Sequence, residues 1–156
     1  MRVLFVCTGN SCRSPMAELY FNDLCHRNGL ETLHAGSAGL AAWDGGAISR
    51  PAAAVMGEMG IDCGAFRSAR FTPALAAECD LLVAMTAGHA AAMRQVAPAC
   101  ADRVRLLLDF AGGGEVPDPF GGSVSDYRRV FEVMRPAVEN LVRRLSGVSG
   151  CAKSEK

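Results

Sequence analysis

The stretch Val3-Leu4-Phe5-Val6-Cys7-Thr8-Gly9-Asn10-Ser11-Cys12-Arg13-Ser14-Pro15 decides the fold. Its first four residues form an unbroken β-branched and aromatic run, the pattern of a strand buried on both faces of a parallel sheet. The run gives way to Gly9-Asn10, a turn, and then to Ser14-Pro15, which read as the N-cap and first residue of a helix, with Glu18 in its first turn. Ala17, Tyr20, Phe21, Leu24 and Cys25 recur at helical spacing, and Asn28-Gly29 predicts the end of that helix.

Outward from this unit the alternation repeats. A weaker strand is predicted over residues 31–36, and a helix over Pro51 to Met59 closed by Gly60. Thr72-Pro73 caps a short helix that leads into the strand Asp80 to Met85. A helix from Gly88 to Val96 stops before Pro98, a strand follows over Val104 to Leu108, and a last helix runs from Ser125 to Leu145. Its Tyr127, Val130, Phe131, Met134, Val138, Leu141, Val142 and Leu145 share one face. The order predicts a single-domain α/β fold, a doubly wound four-stranded parallel sheet with helices on both faces. Ligands of such sheets bind at the carboxyl ends of the strands. Residues 111–124, AGGGEVPDPFGGSV, form a Gly/Pro-rich loop too long for a mere connection, which marks it as functional. The domain is expected to end at residue 145, with 146–156 a disordered tail.

The chain has 156 residues, half of them apolar, and a mean hydropathy of +0.17, values that suit one globular domain with its own core. Sixteen Lys plus Arg balance sixteen Asp plus Glu, so no net basic field exists to hold a nucleic acid or an anionic membrane. No apolar run approaches a membrane span, and the one at the N-terminus is too short for a signal peptide. With seven irregularly spaced cysteines, this points to a reducing cytoplasm. The cysteines contain no C-x2-C pair, and His26, His34 and His89 are scattered, so no metal site is expected.

Within the first loop the spacing of interest is Cys7-x5-Arg13. Alone it is weak, because seven cysteines among so many arginines give about half a match by chance. Its setting strengthens it. A loop between a buried strand and a helix N-terminus can turn its backbone N–H groups onto a tetrahedral oxyanion, and Gly9 permits the turn. Arg13 can then fork onto two phosphoryl oxygens. The same surroundings favour a thiolate at Cys7, a nucleophile aimed at the phosphorus that its own loop holds. Ser14 can donate to the sulfur or act as a plain helix cap. In-line attack needs an acid on the far side, and Asp118, stiffened between Pro117 and Pro119 on the late loop, is the candidate.

These residues resemble the low-molecular-weight protein tyrosine phosphatases. VLFVCTGNSCRSPMAE is similar to the family's signature loop and PDPF to its acid loop, and Ser37-Ala38-Gly39, Gly60-Ile61-Asp62 and Asp80 to Met85 fall at its other landmarks. The resemblance covers residues 1 to about 145. It implies that Cys7 becomes a phosphocysteine, that Arg13 and the loop Thr8, Gly9, Asn10, Ser11, Cys12 bind the phosphoryl group, and that Asp118 is acid and then base. It further implies that Ser14 supports the thiolate, that Asn10 and Ser37 brace the loop, and that Cys12 forms a protective disulfide with Cys7. No cofactor is implied, and the partner is a phosphorylated protein met by a monomer. One departure stands out: Phe66 takes the place of a His usual in the bracing network.

The wall residues point two ways. Trp43 and Phe120 match aromatic positions able to sandwich a phosphotyrosine ring, although a lone Trp is as often a buried loop anchor. Ser11 replaces the bulky aliphatic residue of tyrosine-specific members with a small polar one, as in the related protein arginine phosphatases, and DPFGG resembles their acid loop. Phosphotyrosine leads and phosphoarginine is the alternative. A related arsenate reductase would need two further cysteines close together, which Cys63, Cys79 and Cys100 are not. A non-catalytic phosphate-binding module could dispense with Cys7 and Asp118, and both are present.

Overall fold

The structure, a computed structural model, describes residues 1–147. Four parallel strands, β1 (Arg2–Cys7), β2 (His34–Gly39), β3 (Leu81–Ala84) and β4 (Val104–Leu106), form one sheet in the order β2-β1-β3-β4. Five helices accompany them: α1 (Arg13–Arg27), α2 (Arg50–Glu58), α3 (Pro73–Ala77), α4 (Ala87–Val96) and α5 (Val124–Ser146). The expected doubly wound α/β architecture is therefore present, and among the described residues no helix is long and apolar enough to cross a membrane.

The alternation of β1 explains the two layers. Val3, Phe5 and Cys7 pack in a core with Met16, Tyr20 and Phe21 of α1 and Phe131, Met134 and Val138 of α5. Leu4 and Val6 face the other way, onto Phe71, Ala76, Ala90 and Met93. Two edge-on aromatic pairs, Phe5 with Phe21 and Tyr20 with Phe131, stitch the first layer. Because β1 has β2 on one side and β3 on the other, chain order reverses beside it, and the crevice beyond its carboxyl end is a topological switch point. Cys7 is the last residue of that strand.

The boundaries correct several expectations. β2 begins at His34 and ends at Gly39, three residues later than the apolar pattern of residues 31–36 suggests. The chain leaving α1 must first reverse through Gly29, at φ 65°, and a turn in which Leu33 N donates to Leu30 O. Register then sets Gly39 opposite Cys7. A Cβ on Gly39 would lie 2.6 Å from Thr8 O and 2.9 Å from Asn10 N, so the close packing of β2 on the loop requires glycine. Ser14 is not an N-cap. α1 starts at Arg13 after Cys12, and Ser14 lies inside its first turn with its hydroxyl turned to the loop. α2 starts one residue before Pro51, at Arg50, capped by Ser49. Thr72 caps α3 as expected, accepting from Leu75 N.

β4 is shorter than predicted and passes into a 3₁₀ turn over Leu107–Ala111. The Gly/Pro loop that follows is pinned at Val116, which is buried and donates its N–H to Met85 O at 3.0 Å. A reciprocal capping box between Ser123 and Asp126 then opens α5. That helix takes in Ser146 and is capped by Gly147, and the rest of the expected tail, residues 148–156, lies outside the described residues.

Candidate active site

Cys7, Thr8, Gly9, Ser11, Cys12, Arg13, Asp118 and Phe120 line one cavity of about 310 Å³ at the carboxyl end of β1. The loop supplies the first six, and the late Gly/Pro loop supplies the last two from across the switch point. Backbone N–H groups of Thr8 to Cys12 have no backbone acceptor among the described residues. Carbonyl oxygens on the outer side of the loop are taken instead: Leu40 N donates to Cys7 O, Ala41 N to Thr8 O and Ser49 N to Ser11 O. The loop is thus tied down by its acceptors while its donors stay available to an anion.

Behind the cavity Asn10 organises a buried polar chain. Its backbone is left-handed at φ 52° and its side chain is wholly buried. The amide oxygen accepts from Ala69 N at 2.9 Å, which settles the orientation of the amide. Its Nδ2 then donates twice, to Ser14 Oγ at 2.9 Å and Ser37 Oγ at 2.8 Å. Both serine oxygens are therefore acceptors, and both serine hydrogens are directed onward. Ser14 turns to Cys7 Sγ at 2.9 Å, and Ser37 donates to Glu18 Oε2 in a short contact. The Asn10 amide thus sets the sense of the chain: toward a Cys7 thiolate, which can only accept, the Ser14 O–H is the donor, with Ala38 O at 3.5 Å its longer alternative acceptor, and the Ser37 O–H goes to a carboxyl group. Burial pushes the Glu18 carboxyl up from 4.5, against the Ser37 hydrogen bond and the positive Arg2.

Arg13 is buried, and its guanidinium spans to the late loop, donating to Val116 O at 3.3 Å and approaching Asp118 Oδ2 at 3.6 Å. The Asp118 side chain is 57% exposed, so the ion pair is weak and the carboxylate can face an entering group. Its other oxygen accepts from Phe120 N at 3.0 Å, a local turn that orients the carboxyl within its proline frame. A buried thiol with a hydroxyl at its side, a buried guanidinium and an exposed carboxylate on the opposing loop can together run an in-line displacement on a tetrahedral anion.

The structure gathers the sequence-predicted residues in two shells, with Asn10, Ser14 and Ser37 behind the cavity wall. Trp43 is not in the wall. It is 87% exposed on the segment after β2, so it is no buried anchor, and Phe120 on the wall is 83% exposed. Phe66 is buried and enters none of the loop's hydrogen bonds; Ala69 N supplies the outer partner of Asn10. Sequence reasoning missed three groups. Glu18, read as a first-turn residue, ends the polar chain. Tyr127, read as part of an apolar face, sets its hydroxyl 3.3 Å from Cys12 Sγ, and burial followed by that contact pushes its pKa up to about 12. His89, one of the scattered histidines, holds its Nε2 2.8 Å from Thr8 Oγ1. Only the helical spacing of Tyr127 and Glu18 on the faces turned to the loop could have signalled two of them. Among the described residues no cluster of three metal-ligating side chains occurs.

Known proteins resemble this chain over nearly its whole length. Residues 2–148 match the family described as low molecular weight phosphotyrosine protein phosphatase. A low molecular weight protein-tyrosine-phosphatase of Streptomyces coelicolor is 40% identical over 151 residues, spanning 90% of this chain and 91% of that one. A protein-arginine-phosphatase of Bacillus subtilis is 36% identical over 148 residues, spanning 94% and 95%. Among solved structures, an arginine phosphatase variant with a phosphorylated active-site serine superposes with a TM-score of 0.89 at 33% identity, covering 95% of this chain and 97% of that one. Fold and sequence agree, and the chain belongs to the low molecular weight phosphotyrosine protein phosphatase family.

Proposed function

We propose that this phosphatase hydrolyses phosphotyrosine on proteins through a phosphocysteine at Cys7. The observation that carries the mechanism is the meeting of Cys7, Arg13 and Asp118 at one cavity at the switch point. The Cys7 thiolate attacks phosphorus, and the P–O bond to the tyrosine breaks as Asp118 delivers its proton to the leaving phenolate. Arg13 and the loop amides hold the three non-bridging oxygens as charge shifts among them. Asp118, now a carboxylate, takes a proton from water, which attacks the phosphocysteine and releases inorganic phosphate. Ser14 donates to the departing sulfur, and Asn10 with Ser37 keeps that hydroxyl aimed.

Phe120, exposed on the cavity wall, favours an aromatic substrate. A second reading, phosphoarginine, is favoured by Ser11, whose small hydroxyl lines the cavity where a bulkier side chain would narrow it. Side-by-side kcat/KM for phosphotyrosine and phosphoarginine peptides decides between them. Tyrosine specificity predicts the larger value for the first, and Ser11→Ile is expected to shift preference further toward tyrosine; the reverse ranking transfers the assignment to arginine.

The enzyme acts as a cytoplasmic monomer on phosphorylated protein, with no nucleic-acid or membrane partner, a reading supported by its balanced charge. Every proton and charge in the scheme is handled by a side chain or a backbone amide, so it calls on no cofactor. Cys12 serves as redox partner: peroxide oxidises Cys7 to a sulfenic acid, and the Cys12 thiol displaces water to close a reversible disulfide.

A further inference from the structure

His89 lies in the first turn of α4, beneath the start of the phosphate loop. The residue is 8% exposed, its Nε2 meets Thr8 Oγ1 at 2.8 Å, and its Nδ1 is buried without a hydrogen-bond partner among the described residues. That turn and the residue leading into it grip the opposing loop: Ala87 N donates to Glu115 Oε2, and Met85 O, just before the helix, accepts from Val116 N. The charged groups facing the ring are Arg13, Asp118 and Glu115; burial, followed by Arg13, pulls its pKa below 6.5 against the other two.

The orphaned Nδ1 decides the tautomer. A proton there would be a buried donor with no acceptor, and the imidazolium would carry the same defect, whereas a bare lone pair is the smaller loss. The proton of the neutral ring therefore sits on Nε2 and is donated to Thr8 Oγ1. Thr8 Oγ1 makes no other hydrogen bond among the described residues, and Thr8 lines the cavity. With its lone pair taken, the hydroxyl has its hydrogen left to give. In the opposite tautomer the hydroxyl would donate to the ring and present only lone pairs to an incoming dianion. The ring's proton position thus fixes whether Thr8 attracts or repels the phosphoryl group.

We propose that His89 is a positioning residue that holds the Thr8 hydroxyl as a side-chain donor to a phosphoryl oxygen, adding to the backbone amides of the loop. This rests on the phosphatase reading and extends it to a residue pair outside the motif.

The probe is inorganic phosphate, read as a competitive inhibitor of aryl phosphate hydrolysis. Thr8→Val is expected to weaken its binding about tenfold, the scale of one hydrogen bond to an anion, while Thr8→Ser retains it. His89→Leu is expected to match Thr8→Val, His89→Gln to restore most of the loss by supplying an N–H, and the double variant to be no worse than either single one. Nitrogen-15 NMR of the parent protein is expected to show the His89 proton on Nε2. Phosphate binding within about twofold of the parent in Thr8→Val, additive losses in the double variant, or a proton on Nδ1 would each overturn the proposal. If His89→Leu does not fold, the Thr8 pair and the NMR signal still decide. A parent protein that does not turn over aryl phosphate refutes the phosphatase reading itself, whereas normal turnover with an indifferent Thr8→Val refutes only the role of His89.

Discussion

Replacing Asn10 with aspartate keeps the shape of the residue and reverses the polarity of the chain behind the nucleophile. In the native protein Nδ2 donates to Ser14 and Ser37, leaving the Ser14 hydrogen for Cys7. The carboxylate of Asn10→Asp would instead accept from Ser14, Ser37 and Ala69 N, while Glu18, whose carboxyl burial already pushes toward the protonated form, keeps its contact by donating to Ser37 Oγ, so the fold should survive. Activity should not. The thiolate loses a hydroxyl donor worth about 1.5–3 kcal/mol. It also gains a like charge: two steps of 2.9 Å through Ser14 put the new carboxylate no more than about 6 Å away, roughly 3 kcal/mol at an effective dielectric of about 20. The sum corresponds to a loss of about 10³-fold or more in kcat/KM for an aryl phosphate. Asn10→Ala is the comparator. It breaks all three hydrogen bonds and leaves a non-glycine residue at φ 52° with no compensation, but the Ser14 hydroxyl stays free to reach Cys7. Thermal melting and steady-state kinetics on the two variants should therefore rank them oppositely, with aspartate the more stable and the less active. An aspartate variant within about tenfold of the parent, or an alanine variant less active than the aspartate one, would refute the polarity argument.

Three further outcomes follow from the geometry. Asp118→Asn should lower kcat by about 10² to 10⁴, most for alkyl-like leaving groups that cannot depart without a proton, and an effect below tenfold on such a substrate would remove Asp118 from the acid role. Gly39→Ala should cripple turnover although it touches no substrate, because its Cβ would press on Thr8 O and Asn10 N; a crystal structure with the loop undisturbed would contradict this. The His89 pKa is lowered from 6.5 in the folded chain, so as pH falls past that value the unfolded chain takes up a proton that the folded one resists. Stability should fall with pH in that window and recover above it, and His89→Gln, measured by denaturant titration at about pH 7.5 and about pH 5.5, should show a smaller drop than the parent.

The parts of the site that share one short segment were legible in the sequence, because strand, turn and helix follow each other within residues 3–15 and local rules govern each. Asp118 was legible through its flanking prolines, but its approach to Arg13 depends on Val116 joining Met85, a contact no local pattern encodes. β2 was displaced because HAGSAG carries small residues chosen for the loop packed against it, and a hydrophobicity pattern cannot register a glycine needed for close approach. Ser14 leaves two readings open for a related reason: the residue type favoured at helix starts also suits a thiolate, and only the position of Cys7 decides for the second. Trp43 shows the reverse, since an isolated Trp in a loop gives no hint of whether it turns in or out, and here it is exposed. His89 and Tyr127 reach the loop from α4 and α5, Glu18 reaches Ser37 of β2 from α1, and their partners are set by the packing of layers, not by spacing.

The central claim is covalent catalysis at Cys7, and the most direct measurement is mass spectrometry of the enzyme acid-quenched during turnover of an aryl phosphate. One added phosphoryl group is expected on the peptide that holds Cys7, built up further in Asp118→Ala with a good leaving group because water is no longer activated, and absent with all turnover in Cys7→Ala. Hydrolysis that persists in Cys7→Ala, or a phosphoryl group found on any other residue, would contradict it.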